Sequence, residues 1–387
     1  MMFKLNFRLA TLWLCLAAPS FAEPALSEQA SAEDSGWQFD SNAYFAQGYI
    51  NSNGNQYYGD SRDGSFEYHE AAVNAYASYG EQLRVAGQIF TRDAGANDND
   101  EPRIDYLFLD WGSKKLERDI GIRIGRVRNP LGLYNDVSDV IFTRPSILMP
   151  YSVYLQGNGL RDLLFSSDGA QFYYRRNIGQ TAHHVTLTAG RTRDLNERTS
   201  SNLFGTGDLP GENRLHSPVF FQYRNISDYG RRILGVSYFE TRLRFHSNGS
   251  LPADPELNSQ LTVLTAQQHF EQLSLTAELS HNRLLASFGS ISRELVRQGG
   301  YLQAEYRHNA RWSSLVRADI AFDDRRDRAE SRNRDLTVGV RWAPDSHWLW
   351  SAEWHWIDGS SAIPRRDNPM GISDHTRILA LMGAYRF

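Results

Sequence analysis

From residue 36 to the end of the chain, apolar positions alternate with polar or small ones at a period of two. That is the spacing of a strand whose two faces meet different surroundings. In 334–342, Leu336, Val338, Val340 and Trp342 oppose Asp335, Thr337, Gly339 and Arg341. In 347–357, Trp348, Trp350, Ala352, Trp354 and Trp356 oppose Ser351, Glu353 and His355. The pattern predicts sixteen strands, near 36–50, 66–79, 83–92, 103–111, 118–127, 168–176, 183–192, 217–225, 231–244, 260–270, 272–282, 300–308, 311–322, 334–342, 347–357 and 375–387. The faces of 103–111 and 231–244 can be assigned either way. Connections alternate between short (such as 80–82, 226–230 and 309–310) and long (51–65, 93–102, 128–167, 193–216, 245–259, 283–299, 323–333 and 358–374). Short turns at one end and long loops at the other, with an even strand count, are the layout of a transmembrane antiparallel β-barrel. Blade-like repeats of about 40 to 50 residues are absent, which excludes a propeller. No linker divides the strands into separate sandwiches. The fold class expected is all-β: a barrel of about 16 strands, with short periplasmic turns and long extracellular loops.

The two ends of the chain agree. Lys4 and Arg8 precede a short apolar stretch, Leu9 to Ala18, and Ser20-Phe21-Ala22 is a small-residue cleavage site. Residues 1–22 read as a secretory signal peptide, residues 23–35 as an acidic disordered periplasmic leader, and 36–387 as the barrel. The one cysteine, Cys15, lies in the signal, so the barrel has no thiol chemistry. In the last strand Leu379, Leu381, Tyr385 and the terminal Phe387 share a face. This strand resembles the C-terminal signal of bacterial outer-membrane β-barrels, read by the barrel-assembly machinery. The resemblance implies a bacterial outer-membrane location, with lipid and lipopolysaccharide as surroundings. No apolar run after the signal is long enough for a helical span. The aromatics Trp348, Trp350, Trp354, Trp356, Tyr385 and Phe387 share parity with Val and Leu, which reads as an interfacial girdle. Tyr173 and Tyr301 fall on the opposite parity.

The longest connection, 128–167, is unlike the other loops. Leu131, Val137, Ile141, Ile147, Leu148, Val153, Leu164 and others make it too apolar to lie in water, so it is expected to fold into the barrel and narrow it. The run Gly125-Arg126-Val127-Arg128-Asn129-Pro130-Leu131-Gly132-Leu133-Tyr134, followed by Phe142-Thr143-Arg144, resembles the strand-plus-loop region of phosphate-selective porins of the O and P type. The resemblance implies a porin with a constricting third loop. Those porins line their pores with lysine as well as arginine. Here the only lysines are Lys4, Lys114 and Lys115, so phosphate specificity does not carry over.

Between 121 and 191 there are eight arginines and four aspartates, in a chain of formal net charge −4. The candidate pore-lining set is Arg123, Arg126, Arg128, Arg144, Arg161, Arg175, Arg317 and Arg341 with Asp136, Asp139, Asp162, Glu305 and Glu353. Arginine stays ionised and presents a planar fork to carboxylates and phosphates. Arginines facing acids across a lumen would set a transverse field that sorts solutes. The bland alternative is that these arginines only pair with lumen acids and hold the loop. The expected function is passive diffusion of small hydrophilic solutes, with preference for anionic or zwitterionic ones. The alternatives are a substrate-specific channel for oligosaccharides or uronates, and a structural or adhesive barrel without an open pore.

Enzymatic readings are weak. Gly59-Asp60-Ser61 is similar to the nucleophile block of GDS-type esterases but falls in the first external loop. His183 and His184 adjoin on one strand and face opposite ways. No catalytic residue, cofactor or metal ligand is assigned, although the acidic loop 93–101 carries oxygen donors of the kind that bind Ca²⁺. A plug-bearing transporter would need more chain. The mild net charge argues against nucleic acid. A homotrimer is compatible with the porin resemblance.

Overall fold

The computed structural model describes residues 36–154, 161–195 and 211–387. The export signal and leader expected at 1–35 lie outside the described residues. The strands are β1 (Trp37–Asn53), β2 (Tyr68–Tyr79), β3 (Leu83–Ala94), β4 (Arg103–Lys115), β5 (Arg118–Arg128), β6 (Ser166–Ile178), β7 (Thr181–Gly190), β8 (Arg193–Asp194), β9 (Glu212–Ser227), β10 (Arg232–His246), β11 (Pro255–His269), β12 (Leu273–Phe288), β13 (Ile291–Arg307), β14 (Trp312–Phe322), β15 (Arg332–Trp342), β16 (Trp348–Asp358) and β17 (His375–Arg386). Each pairs antiparallel with its neighbours, and β1 pairs with both β2 and β17, which closes the sheet. The two-residue β8 is an outlier in a loop, pairing only with β9. The remaining sixteen strands form the barrel. They run for 10 to 17 residues, long enough to cross a hydrocarbon layer at the usual tilt.

The outer face is apolar and uncovered: Ile89, Leu107, Leu279, Leu302, Val316, Trp350 and Trp354 are all exposed. So broad a patch marks a surface made for lipid. Leu379, Leu381, Tyr385 and Phe387 lie on this face, while Ile378, Ala380, Met382 and Ala384 are buried behind them. Trp348 and Trp350 stack with ring centres 5.6 Å apart, and Trp312 stacks on Trp342 at the same spacing.

The structure also settles the two strands whose faces the pattern leaves open. Opposite Gln88 and Ile89, strand β4 carries a bulge. The extra residue, Asp105, is buried beside the inward Tyr106, so strict alternation fails there. A second irregularity lies opposite Thr241, where β9 carries Ser217 at φ +41° and Pro218. Proline has no N–H for the ladder and is tolerated at a bulge. The expected long connection at 283–299 is corrected. β12 and β13 continue their ladder through Phe288↔Ile291, joined only by Gly289 and Ser290. Gly289 sits at φ +58°, the left-handed conformation tight hairpins need.

The interior is not a simple water-filled tube. Two apolar clusters join the inner wall to the β5–β6 connection, which runs over residues 129–165. One unites Tyr44, Ile50, Tyr68, Phe90, Ile378 and Met382 with Ile141, Ile147 and Leu148. The other unites Phe220, Phe239, Leu243, Leu261 and Val263 with Leu131, Val137, Val153 and Leu164.

Candidate functional site: the barrel interior

The β5–β6 connection is held like a bound peptide. Inward carboxylates accept its N–H groups and inward arginines donate to its carbonyls. Glu278 on β12 accepts from the Leu133 N–H at 2.9 Å, Thr265 Oγ1 at 2.7 Å and Tyr301 Oη at 2.8 Å, with Tyr154 Oη also donating to it. Glu353 accepts from the Ile147 and Leu148 N–H groups at 2.6 and 3.2 Å. Asp319 accepts from Ser152 at 3.2 Å. In the other direction, Arg224 reaches the Gly132 carbonyl at 2.7 Å, Arg341 that of Arg144 at 2.8 Å, Arg317 that of Leu148 at 2.9 Å, and Arg297 that of Tyr151 at 2.7 Å. A buried backbone group without a partner is costly, so these side chains are what allow an irregular segment to lie inside the barrel.

Arg144, carried by the segment itself, forks onto Glu70 of β2 at 3.1 and 2.9 Å, with its side chain 1% exposed. Arg128, at the end of β5, meets Asp139 at 2.7 Å and stacks over Tyr106. Arg161, in the four-residue helix α1 (Arg161–Leu164), forks onto the bulge residue Asp105. Its Nη1 to Oδ1 distance is 3.0 Å. These three arginines are enclosed among carboxylates and rings. The side chain of Asp162 lies outside the described residues. Glu305 faces inward and accepts from Gln303 at 2.8 Å.

Arg126 is a correction. It shares the outward parity of Ile122 and Ile124, and pairs with Asp168 of β6 at 2.6 Å on the outer surface. Its placement in the lumen followed the charge count of the region rather than its parity.

Toward the end of the barrel that carries the short turns, the interior is wetter. Arg123 meets Asp110 at 3.0 Å and Gln171 at 3.1 Å, with a fifth of its side chain exposed. Arg175 meets Asp119 at 3.3 Å and is 30% exposed. Arg224 has Asp136 of the inner segment at 3.7 Å. Tyr173 lies flat over Gly121 and Gly112 and donates to Asp110 at 2.9 Å; a Cβ on Gly112 would come within 2.6 Å of its hydroxyl. The wall from β3 to β9 therefore presents Arg84, Lys114, Arg123, Arg175 and Arg224 against Asp110 and Asp119, on strands whose inward parity is set by the pairings Arg84↔Asp110, Asp110↔Arg123, Lys114↔Asp119 and Asp119↔Arg175. Glu70, Asp105, Asp110, Arg224 and Arg297 are absent from the sequence-based candidates. Parity alone could have placed all but Asp105 inside.

The long loops are tied together at the opposite end. Asp367 accepts from the Tyr58 and Ala96 N–H groups at 3.0 and 2.9 Å, joining the loops that follow β16, β1 and β3. In the acidic 93–101 stretch, Asp98 is occupied by Arg92 and Arg103 at 3.1 and 2.8 Å. Burial raises the Asp98 pKa, but the two guanidinium groups outweigh it and hold the carboxyl down at about 2. No group of three or more metal-binding side chains occurs among the described residues. Ser61, of the esterase-like triplet, is fully buried and bonded to Ser52.

A closed sixteen-stranded antiparallel barrel with an apolar outer belt and an inward-folded connection after its fifth strand defines the class: this is the fold of bacterial outer-membrane porins. Solved structures agree. The outer membrane channel DcaP of Acinetobacter baumannii aligns at TM-score 0.58 and 11% identity, over 91% of this chain and 98% of that one. An anion-selective porin from Comamonas acidovorans aligns at 0.56 and 12%, over 91% and 100%. OmpT of Vibrio cholerae, in a trimer form, aligns at 0.53 and 10%, over 91% and 99%. No protein-family model matches the chain, and no curated protein matches it in sequence.

Proposed function

We propose that this protein is a channel of the bacterial outer membrane that passes small hydrophilic solutes and favours anionic or zwitterionic ones. The observation that carries the preference is the basic wall from β3 to β9, where, toward the short turns, Arg84, Lys114, Arg123, Arg175 and Arg224 face Asp110 and Asp119. In a lumen of reduced dielectric such an imbalance favours entry of anions. The likeness of fold to an anion-selective porin is compatible with this reading. On this reading residues 1–22 are the export signal, 128–167 is the constriction loop, Leu379, Leu381, Tyr385 and Phe387 address the chain to the barrel-assembly machinery, and lipopolysaccharide surrounds the outer rim. A homotrimer is the assembly we favour, as in the trimer form of the Vibrio cholerae protein.

The test is reversal potential across a planar bilayer in a salt gradient, using the refolded protein. Anion-selective ohmic steps are expected; clear cation preference would reject the selectivity. A second reading, a barrel closed at rest, is favoured by the near-complete burial of Glu278, Arg317 and Arg144 behind the inner segment. Absence of any conductance step would favour it.

A further inference from the structure

Deepening the anion reading on which it rests, we propose that Arg175, His184 and Arg224 form a one-sided anion-binding cup beneath the inner segment. It would take a carboxylate or phosphate group arriving from the end of the barrel with the short turns. The three residues are register partners across adjacent strands, Arg175↔His184 on β6 and β7 and His184↔Arg224 on β7 and β9. Antiparallel partners lie about 5 Å apart at Cα, so the two guanidinium groups stand roughly 10 Å apart at their roots with an imidazole between them. All three face inward, a few residues above the turns at 179–180 and 228–231. At about 3.3 Å per residue, that is roughly 10 Å of strand from the edge.

His184 is the informative member. Among the described residues no hydrogen-bond partner or carboxylate meets its ring, although arginines flank it on both sides. A half-buried imidazole between two cations is an unfavourable place for charge unless an anion completes the set. It can donate an N–H to such an anion while neutral. The carboxylates nearby are Asp119, beside Arg175 at 3.3 Å, and Asp136, beside Arg224 at 3.7 Å. Both contacts of Arg224, to Asp136 and to the Gly132 carbonyl, run through Nη2, and a guanidinium carries five N–H donors. Arg224 also donates to the Gly132 carbonyl, so the inner segment roofs the cup on the loop side. Lys114 continues the row of Asp119 and Arg175 on β4, and Arg123 and Arg84 lie on a further inward row with Asp110, four residues further along β5.

The placement makes the cup accessible from one side. Refolded protein in detergent micelles would be titrated calorimetrically with inorganic phosphate and, separately, succinate. Saturable binding of either is expected, weakened at least tenfold in His184→Ala and in Arg175→Gln, with circular dichroism confirming the barrel in each variant. The stronger probe names the class of group. No saturable binding by wild type, or wild-type affinity in either variant, overturns the cup. In oriented bilayers the probe should block current at a lower concentration from the short-turn side; equal block from both sides overturns its one-sidedness. The two proposals fail separately. A barrel that binds phosphate but never conducts loses the channel and keeps the cup. An anion-selective channel indifferent to both probes keeps the channel and loses the cup.

Discussion

Replacing Glu278 with alanine is the sharpest test of how the inner segment is held. The carboxylate is fully buried and accepts from the Leu133 N–H, Thr265, Tyr301 and Tyr154. Glu278→Ala leaves two phenols and a threonine hydroxyl without their acceptor, whereas Leu133 keeps a bond to Tyr154 Oη at 3.0 Å. Each buried donor left unmade costs about 1–3 kcal/mol. Part of this is recovered because no carboxylate need be desolvated and water can enter the space. A net loss of about 3 kcal/mol corresponds to roughly a hundredfold rise in local opening of the segment, at 1.4 kcal/mol per factor of ten. Hydrogen–deuterium exchange followed by mass spectrometry reads this directly. Peptides covering 129–137 should exchange about a hundredfold faster, while peptides from β14 to β17 keep wild-type rates. Unchanged exchange at 129–137 would refute the latch. Uniform acceleration over the strands would show that Glu278 supports the barrel rather than the segment.

Other consequences follow from the same geometry. Arg144→Ala strands Glu70 in a buried site, a change that costs about 3–5 kcal/mol when one partner of such a pair is removed; limited proteolysis should cut near 138–148 in the variant and spare wild type. Arg317→Met, which removes the guanidinium bonds to Ser146 Oγ and the Leu148 carbonyl and leaves only their mutual bond, should raise single-channel conductance or its open fraction, and identical traces would argue that Arg317 does not hold the segment. Gly383→Val places a Cβ 2.6 Å from the Trp350 ring on the outer face, so the unfolding temperature seen as heat-modified gel mobility should drop. Asp98 has a depressed pKa, so its stabilising effect is present above about pH 4 and is lost as pH falls toward 2. Protease resistance of the 95–102 loop should fall over that window in wild type, and Asp98→Asn should start low and show little further change.

The strands were legible because lipid outside and polar groups inside impose the same two-residue rhythm sixteen times. The rhythm fails where the backbone breaks it: at Asp105, the extra residue of a bulge, and around Pro218. The predicted long connection at 283–299 failed for another reason. Arg283, Ser287 and Glu294 are polar on the outward side, which looks like a loop, yet Arg283 and Glu294 pair across the ladder at the rim, where polar outer faces are permitted. Arg126 teaches a related lesson. An arginine near the rim can lie outside on an aspartate, and a regional charge count cannot tell that from a lumen position.

What the alternation could not separate is a lumen filled with water from one filled with the chain's own segment, since both place polar groups inward. The discriminating signal is apolar residues on the inward parity. On β17, Ile378, Ala380, Met382 and Ala384 turn inward behind an apolar outer face. On β9 to β11, Phe220, Phe239, Leu243, Leu261 and Val263 do the same. A strand apolar on both faces inside a membrane barrel needs a second apolar surface against its inner side. Here residues 131–153 supply it to both walls. The wall from β3 to β7 has fewer such inward residues near the short turns, and there arginines, Lys114 and His184 face the interior. The division of the interior into a filled part and a basic wetted part is therefore written in which strands lose their polar face, and the anion cup lies where that polar face persists.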